Sequence, residues 1–337
     1  MSSIAETVDF APSHPREVAI SAAQQRLRML RLSITSKCNF RCCYCIPPEG
    51  VPKVAHTELL RLERLAELVA WLVGETGISR VRLTGGEPLA RRGIVNLVGT
   101  LSSLPQMEEV TLTTNGSLLA GMAESLKDAG LKRVNISLDS LDPERFAVIT
   151  RGGDLQTTLE GIEAAIAVGL SPVKLNAVLQ RSSWKQDVPR LLDFAAEKGL
   201  EIRFIELMRT GTERAWCDSE FVSAREVCEG LQIEASGRAT VPSASAQRSV
   251  ISWRGESLII GWITPRSHPF CSKCERLRMD AQGKLRRCLM DVSTLDLHGI
   301  LQSEGPLVAQ SRFRQFLAGK RPPLTMDNLI PMSQVGG

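Results

Sequence analysis

Residues 29–45 read Met29-Leu30-Arg31-Leu32-Ser33-Ile34-Thr35-Ser36-Lys37-Cys38-Asn39-Phe40-Arg41-Cys42-Cys43-Tyr44-Cys45, an alternating strand that runs straight into spaced cysteines. A period of two puts Arg31, Ser33 and Thr35 on one face and Leu30 and Leu32 on the other. Cys38-x3-Cys42-x2-Cys45 then falls just past the C-terminal end of the strand, where α/β barrels carry their reactive groups. A second triplet, Cys271-x2-Cys274-x13-Cys288, lies near the end of the chain. Each triplet is one ligand short of a closed four-thiolate site, so a metal or cubane held there keeps one position open to a small molecule.

Outward from this stretch, short β-branched or aliphatic runs alternate six times with helical segments, the pattern of parallel strands joined by crossover helices. The spacing predicts strands over 29–35, 79–84, 109–114, 132–138, 172–179 and 201–207. It predicts helices near 57–75, 91–103, 117–129, 156–168, 186–198 and 223–231. Gly77, Gly130, Gly169 and Gly199 fall where a helix must stop before the next strand. The same parity groups Arg82 with Thr84, Thr111 with Thr113, Asn135 with Ser137 and Asp139, and Lys174 with Asn176. Their neighbours Val81, Leu83, Ile136, Val173 and Leu175 are apolar and suit packing under outer helices. Polar inward positions on five strands argue for an open, ligand-holding lumen, since a filled barrel interior is lined with branched apolar side chains.

The expected fold is therefore α/β, an incomplete (β/α)6 TIM-type barrel with a C-terminal cluster-binding extension. Residues 1–27 read as an N-terminal tail, 28–234 as the partial barrel and 235–337 as a C-terminal domain with the second cysteine group. The boundary is placed at a Ser/Ala/Gly-rich stretch, 235–247, ahead of a hairpin at 249–263 that turns at Arg254-Gly255-Glu256.

The chain has 337 residues, enough for one large barrel and an attached unit. No apolar run approaches the roughly 20 residues that span a bilayer, and Glu6, Asp9 and Glu17 argue against a secretory or transit leader. Nine cysteines, six of them in triplets, suit reduced metal-binding thiols better than disulfides, so a cytoplasmic location is expected. The net charge of +4 is too mild to mark a nucleic-acid surface, and neither a membrane nor a nucleic-acid partner is expected. Arg276, Arg278, Arg286 and Arg287 nevertheless crowd the second triplet, where they favour an anionic ligand over a merely solvated basic loop. His268-x2-Cys271-x2-Cys274 leaves open a structural zinc site, which in a nucleic-acid-binding module would give a steep salt dependence. Gly85-Gly86-Glu87-Pro88 follows the second strand. Alone it is a turn, yet paired glycines also let a ligand approach the backbone closely.

In this order these motifs resemble the radical S-adenosylmethionine (SAM) superfamily and, within it, the GTP 3′,8-cyclase family. The likeness runs from about residue 29 to the terminus. It includes Thr113-Thr114-Asn115-Gly116, Ser137-Leu138-Asp139, Ile202-Arg203-Phe204-Ile205-Glu206, Phe270-Cys271-Ser272-Lys273-Cys274-Glu275-Arg276-Leu277-Arg278, Gly283-Lys284-Leu285 and the closing Gly336-Gly337. The resemblance implies two [4Fe-4S] clusters, one on Cys38, Cys42 and Cys45 and one on Cys271, Cys274 and Cys288. It implies SAM beside Tyr44, Gly86, Ser137 and Met208, although Met208 alone would read as core. It places GTP against Arg31, Arg82, Thr113, Lys174, Arg276, Leu277 and Arg278, with Arg31, Arg276 and Arg278 acting in catalysis. A 5′-deoxyadenosyl radical would take the ribose 3′-hydrogen of GTP, and the resulting carbon radical would attack guanine C8.

The chain departs from the family pattern at Arg80, where lysine is common, at Ile46 for methionine, and at Ser36-Lys37 for Asp-Arg. None of these removes a ligand. The family also implies an electron donor, a downstream cyclic pyranopterin monophosphate synthase, and a terminal Gly-Gly that reaches the active-site region; a homodimer is left open. The competing enzyme reading is a radical SAM peptide-modifying enzyme with auxiliary clusters, which would need more cysteines after residue 271 than the three present.

Overall fold

The computed structural model describes residues 6–7, 27–47, 58–210, 214–238, 246–269, 271, 274–320 and 327–328. The terminal Gly336-Gly337, most of the 1–27 tail and the expected start of the first helix lie outside them.

Six parallel strands form the centre: β1 (Met29–Ser33), β2 (Arg80–Thr84), β3 (Glu109–Thr114), β4 (Arg133–Ser137), β5 (Lys174–Leu179) and β6 (Glu201–Glu206). They pair in sequence order, each with the next. The crossover helices are α1 (Leu62–Thr76), α2 (Ile94–Ser102), α3 (Ala123–Asp128), α4 (Pro143–Thr150), α5 (Leu155–Ala167) and α6 (Trp184–Glu197). α1 shows why these segments are helical: Leu65, Leu68, Val69 and Leu72 recur at helical spacing and are buried against the sheet. Gly77 then ends it at φ 73°, a left-handed conformation that costs an L side chain but not glycine.

α4 was not expected from the sequence. Its start is nonetheless encoded, because the Asp142 side chain accepts from Arg145 N at 3.0 Å and Pro143 occupies the first turn.

The C-terminal third extends the same sheet. After α7 (Arg214–Ser219) and α8 (Ala224–Leu231), β7 (Glu234–Arg238), β8 (Gln247–Trp253) and β9 (Glu256–Ile263) form an antiparallel run, so part of the 235–247 stretch is strand. The β8–β9 turn is at Arg254 and Gly255, whose φ values of 51° and 89° give the mirror-image turn that suits a hairpin's twist. β9 then lies parallel to β6, with Ile260 opposite Ile202. At the opposite edge, β10 (Arg276–Met279) lies parallel to β1, with Arg278 opposite Arg31. The six-strand arc is thus flanked on both edges by parallel strands from the C-terminal third. Trp262 of β9, fully buried, stacks on Phe204 of β6 with ring centroids 5.3 Å apart. Such a pair contributes about 1 kcal/mol beyond its buried area.

α9 (Leu297–Ser303) and α10 (Pro306–Ala318) follow, and α10 packs Phe313 edge-on against Trp71 of α1 at 5.7 Å. Among the described residues no helix is long and apolar enough to cross a membrane.

Candidate active site

Register carries the polar face around the arc. Arg278, Arg31, Arg82 and Thr111 are successive partners across β10, β1, β2 and β3. Ser137, Asn176 and Arg203 are successive partners across β4, β5 and β6. The apolar partners Leu30, Leu83, Ile136 and Leu175 are all fully buried on the helix side.

The loop after β1 is built on two supports. Its backbone is fastened to the C-terminal end of α4 by Arg41 N to Thr150 O (3.0 Å) and Cys43 N to Ile149 O (2.9 Å). Phe40 meets Phe146 of α4 edge-on, with centroids 6.0 Å apart. On the other side the Gly85-Gly86-Glu87 segment lies against it, with Gly86 N donating to Thr35 O (2.7 Å) and Glu87 N to Lys37 O (2.8 Å). Glu87 is buried and accepts from Thr114 Oγ1 (2.7 Å), Asn115 N (2.8 Å) and Leu89 N (3.0 Å). Burial outweighs these donors and pushes its carboxyl up to about 7.

Both cysteine triplets line one cavity of about 280 Å³. Of the sequence-derived candidates, Tyr44, Gly86, Ser137 and Met208 lie on its wall. So do Arg31, Arg82, Thr113, Arg276 and Arg278. Lys174 and Leu277 are not on that wall. Lys174 is drawn into an ion pair with Glu201 (2.5 Å), and the Leu277 side chain is fully buried, opposite Leu30 in register. Arg80 pairs with Glu108 at 3.4 Å and is likewise not on the wall. The His268 ring sits 3.0 Å from Ser267 Oγ and does not join Cys271 and Cys274 on the wall, which disfavours a zinc site on these three.

Arg203, Asp139 and Asn176 also line the cavity. Parity places Asp139 and Asn176 on the polar face, and the same period of two in the sixth strand puts Arg203 with Glu201, in register with Asn176.

The cavity wall is strongly cationic. Burial first, then the neighbouring Arg278, Arg82 and Arg276, hold the Arg31 guanidinium well below its ordinary range. Burial and Arg133 bring Arg82 down to about 9, and burial with Arg276 brings Arg278 to about 10. Arg31 Nε is buried with no hydrogen-bond partner among the described residues. A polyanion would relieve this mutual repulsion and satisfy that donor.

The six triplet cysteines are free thiols, a donor set that fits two clusters of three thiolates each. Burial raises the Cys38 thiol to about 11. At Cys274 burial pushes the same way, but Arg276 and Lys320 outweigh it and bring the thiol down to about 7.

Asp139 is buried between Tyr44 Oη (2.7 Å) and Val178 N (2.8 Å), and burial raises its carboxyl to about 6. Tyr44→Phe removes one of these donors. The expected destabilisation is about 1–3 kcal/mol by urea unfolding. It should be larger at pH 8, where the buried group is a carboxylate in need of donors, than at pH 5, where it is largely protonated. Equal losses at both values would contradict this account.

The chain matches the profile described as Radical SAM superfamily over residues 32–195 and that described as Molybdenum Cofactor Synthesis C over residues 200–325. It is 45% identical over 323 residues to GTP 3′,8-cyclase of Moorella thermoacetica, covering 93% of this chain and 98% of the relative. GTP 3′,8-cyclase of Petrotoga mobilis is 41% identical, with 91% and 97% covered. GTP 3′,8-cyclase 1 of Pseudomonas aeruginosa is 41% identical, with 86% and 89% covered. Among solved structures, Streptococcus suis SuiB bound to S-adenosylmethionine superposes with a TM-score of 0.59 at 15% identity, covering 87% of this chain and 66% of that one. That likeness speaks for the fold.

Proposed function

Because the chain belongs to the GTP 3′,8-cyclase family within the radical SAM superfamily, we propose how its residues divide the work of cyclising GTP to (8S)-3′,8-cyclo-7,8-dihydroguanosine 5′-triphosphate, the first step of molybdenum cofactor biosynthesis. When bound, the clusters and S-adenosylmethionine supply the hydrogen-abstracting radical chemistry and the electrons. Cys38, Cys42 and Cys45 hold the first cluster, and Tyr44, Gly86, Ser137 and Met208 form the S-adenosylmethionine side of the cavity. Cys271, Cys274 and Cys288 hold the second. Arg31, Arg82, Thr113, Arg276 and Arg278 bind GTP between them, with Arg31, Arg276 and Arg278 acting on the substrate itself. Lys174 supports this wall from behind through Glu201 and Arg203. Leu277 contributes backbone only.

The carrying observation is that cysteines from opposite ends of the chain line one cavity with these arginines. The arginines neutralise the triphosphate and fix the nucleotide, so that the ribose and base are presented to each other and water is kept out. An external one-electron donor and a downstream cyclic pyranopterin monophosphate synthase complete the setting. All nine cysteines are free thiols, as suits the cytoplasm. A peptide-modifying role is not favoured, since the relatives that span most of the chain are GTP 3′,8-cyclases.

The test is an anaerobic reaction of the reconstituted protein with dithionite, S-adenosylmethionine and 3′-deuterated GTP. Deuterium is expected in 5′-deoxyadenosine by mass spectrometry. Unlabelled 5′-deoxyadenosine from protein holding both clusters would end the cyclase reading while leaving the radical fold in place.

A further inference from the structure

One cation beside the second triplet has no part in the assignments above. Lys320 follows the C-terminal end of α10 and is only 6% exposed. Its ammonium donates to the carbonyl oxygens of Arg276 (2.5 Å) and Arg287 (2.8 Å), and reaches Cys274 Sγ at 3.8 Å. An ammonium has three protons, and here all three have acceptors.

Those acceptors belong to the two chain segments that carry the second triplet. Cys274 and Arg276 lie where the chain enters β10, and Arg287 leads directly into Cys288. The lysine therefore ties the two segments to each other at their cysteines. Its own position is fixed from behind. Arg287 Nη1 donates to Phe316 O at 3.3 Å, and the guanidinium lies 4.9 Å from the Phe316 ring centroid. Phe313, one turn earlier in α10, is anchored on Trp71.

We propose that Lys320 is a positioning residue of the second cluster, holding the Cys274 and Cys288 segments together and aiming a buried positive charge at the Cys274 thiolate. The proposal rests on the reading of Cys271, Cys274 and Cys288 as cluster ligands. A cationic donor to a ligating sulfur stabilises the extra electron of the reduced cluster, and burial strengthens that effect. Lys320 thus raises the potential at which the second cluster accepts an electron.

The experiment uses the full-length chain with Cys38, Cys42 and Cys45 replaced by alanine, so that one cluster remains, and follows its reduction by electron paramagnetic resonance. K320M and K320Q are expected to shift the reduction equilibrium about tenfold against the reduced state, which for one electron is about 59 mV to more negative potential. K320R, which keeps the charge, should return most of the shift.

If neither neutral variant retains its irons while K320R does, the charge assignment still stands, because a packing role would not sort the variants by charge. Equal potentials in all three variants and the parent, or equal loss of iron in all three, would overturn it. The parent protein separates the two readings: a four-iron signal there upholds the cluster assignment whatever Lys320 does, and its absence ends both.

Discussion

Glu201→Gln should weaken the fold by about 3 kcal/mol, because it leaves three buried cations facing a neutral amide. Glu201 accepts from Lys174 Nζ (2.5 Å) and Arg248 Nη2 (2.7 Å) on one oxygen and from Arg203 Nε (2.7 Å) on the other. Its side chain is 4% exposed, and those of the three partners are 10% or less. Burial works against the carboxylate, but Arg203 and Lys174 more than compensate and hold it at about 2. A folded-state value below the unfolded one of about 4.5 means stability present above pH 4.5 and lost as pH falls toward 2.

Urea unfolding of the metal-free protein should therefore show a large gap between wild type and variant at pH 7 that closes as pH is lowered through 4 toward 2. A gap that stays constant with pH would show that the loss is one of packing alone. Because Arg203 lines the cavity, GTP affinity should fall along with stability.

Gly86→Ala should lower 5′-deoxyadenosine formation by about a hundredfold, although the change adds a single methyl. A Cβ at that position would lie 2.3 Å from Lys37 O, 2.5 Å from Lys37 C and 2.7 Å from Ser36 O. All three are backbone atoms, so no side chain can swing aside. Either residues 36–37 retreat and carry Cys38 with them, or the glycine segment lifts and breaks the bonds to Thr35 O and Lys37 O. Displacing a reacting group by about 1 Å can cost a hundredfold in rate, beside the 1–3 kcal/mol typical of overpacking. The check is product formation under dithionite together with iron content. Activity near wild type with full iron would show that the loop yields without moving the site.

The six central strands could be read from the sequence because parity and punctuation coincide there. Leu30, Leu32, Val81 and Leu83 alternate with polar residues, and left-handed glycines such as Gly77 and Gly130 end the helices. The cavity's polar wall was legible for the same reason, one strand at a time. What one strand cannot show is its partner across the sheet. β9 and β10 join the edges of the arc through contacts some 60 and 250 residues apart in sequence, and the arginines of Arg276-Leu277-Arg278 are legible as an anion-binding pair while the strand they ride on, beside β1, is not.

The fate of Lys174 was hidden similarly, because the competing acceptor, Glu201, lies on a neighbouring strand. α4 carries a helix start in Asp142-Pro143, but the residue that ends it in the left-handed region is Arg151 rather than a glycine, so the punctuation that marks α1 at Gly77 is missing there.

The pairing of β10 with β1 also bears on synthesis. A chain leaving the ribosome presents Met29–Ser33 long before Arg276–Met279 exists, so one edge of the growing parallel sheet stays open for most of translation. The other edge waits for Glu256–Ile263. Open edges template association with other chains, and pairings this remote in sequence form slowly. Truncations that stop short of residue 279 should therefore collect as aggregates rather than as a soluble half-barrel, and production of the intact protein should improve when elongation is slowed or holding chaperones are abundant.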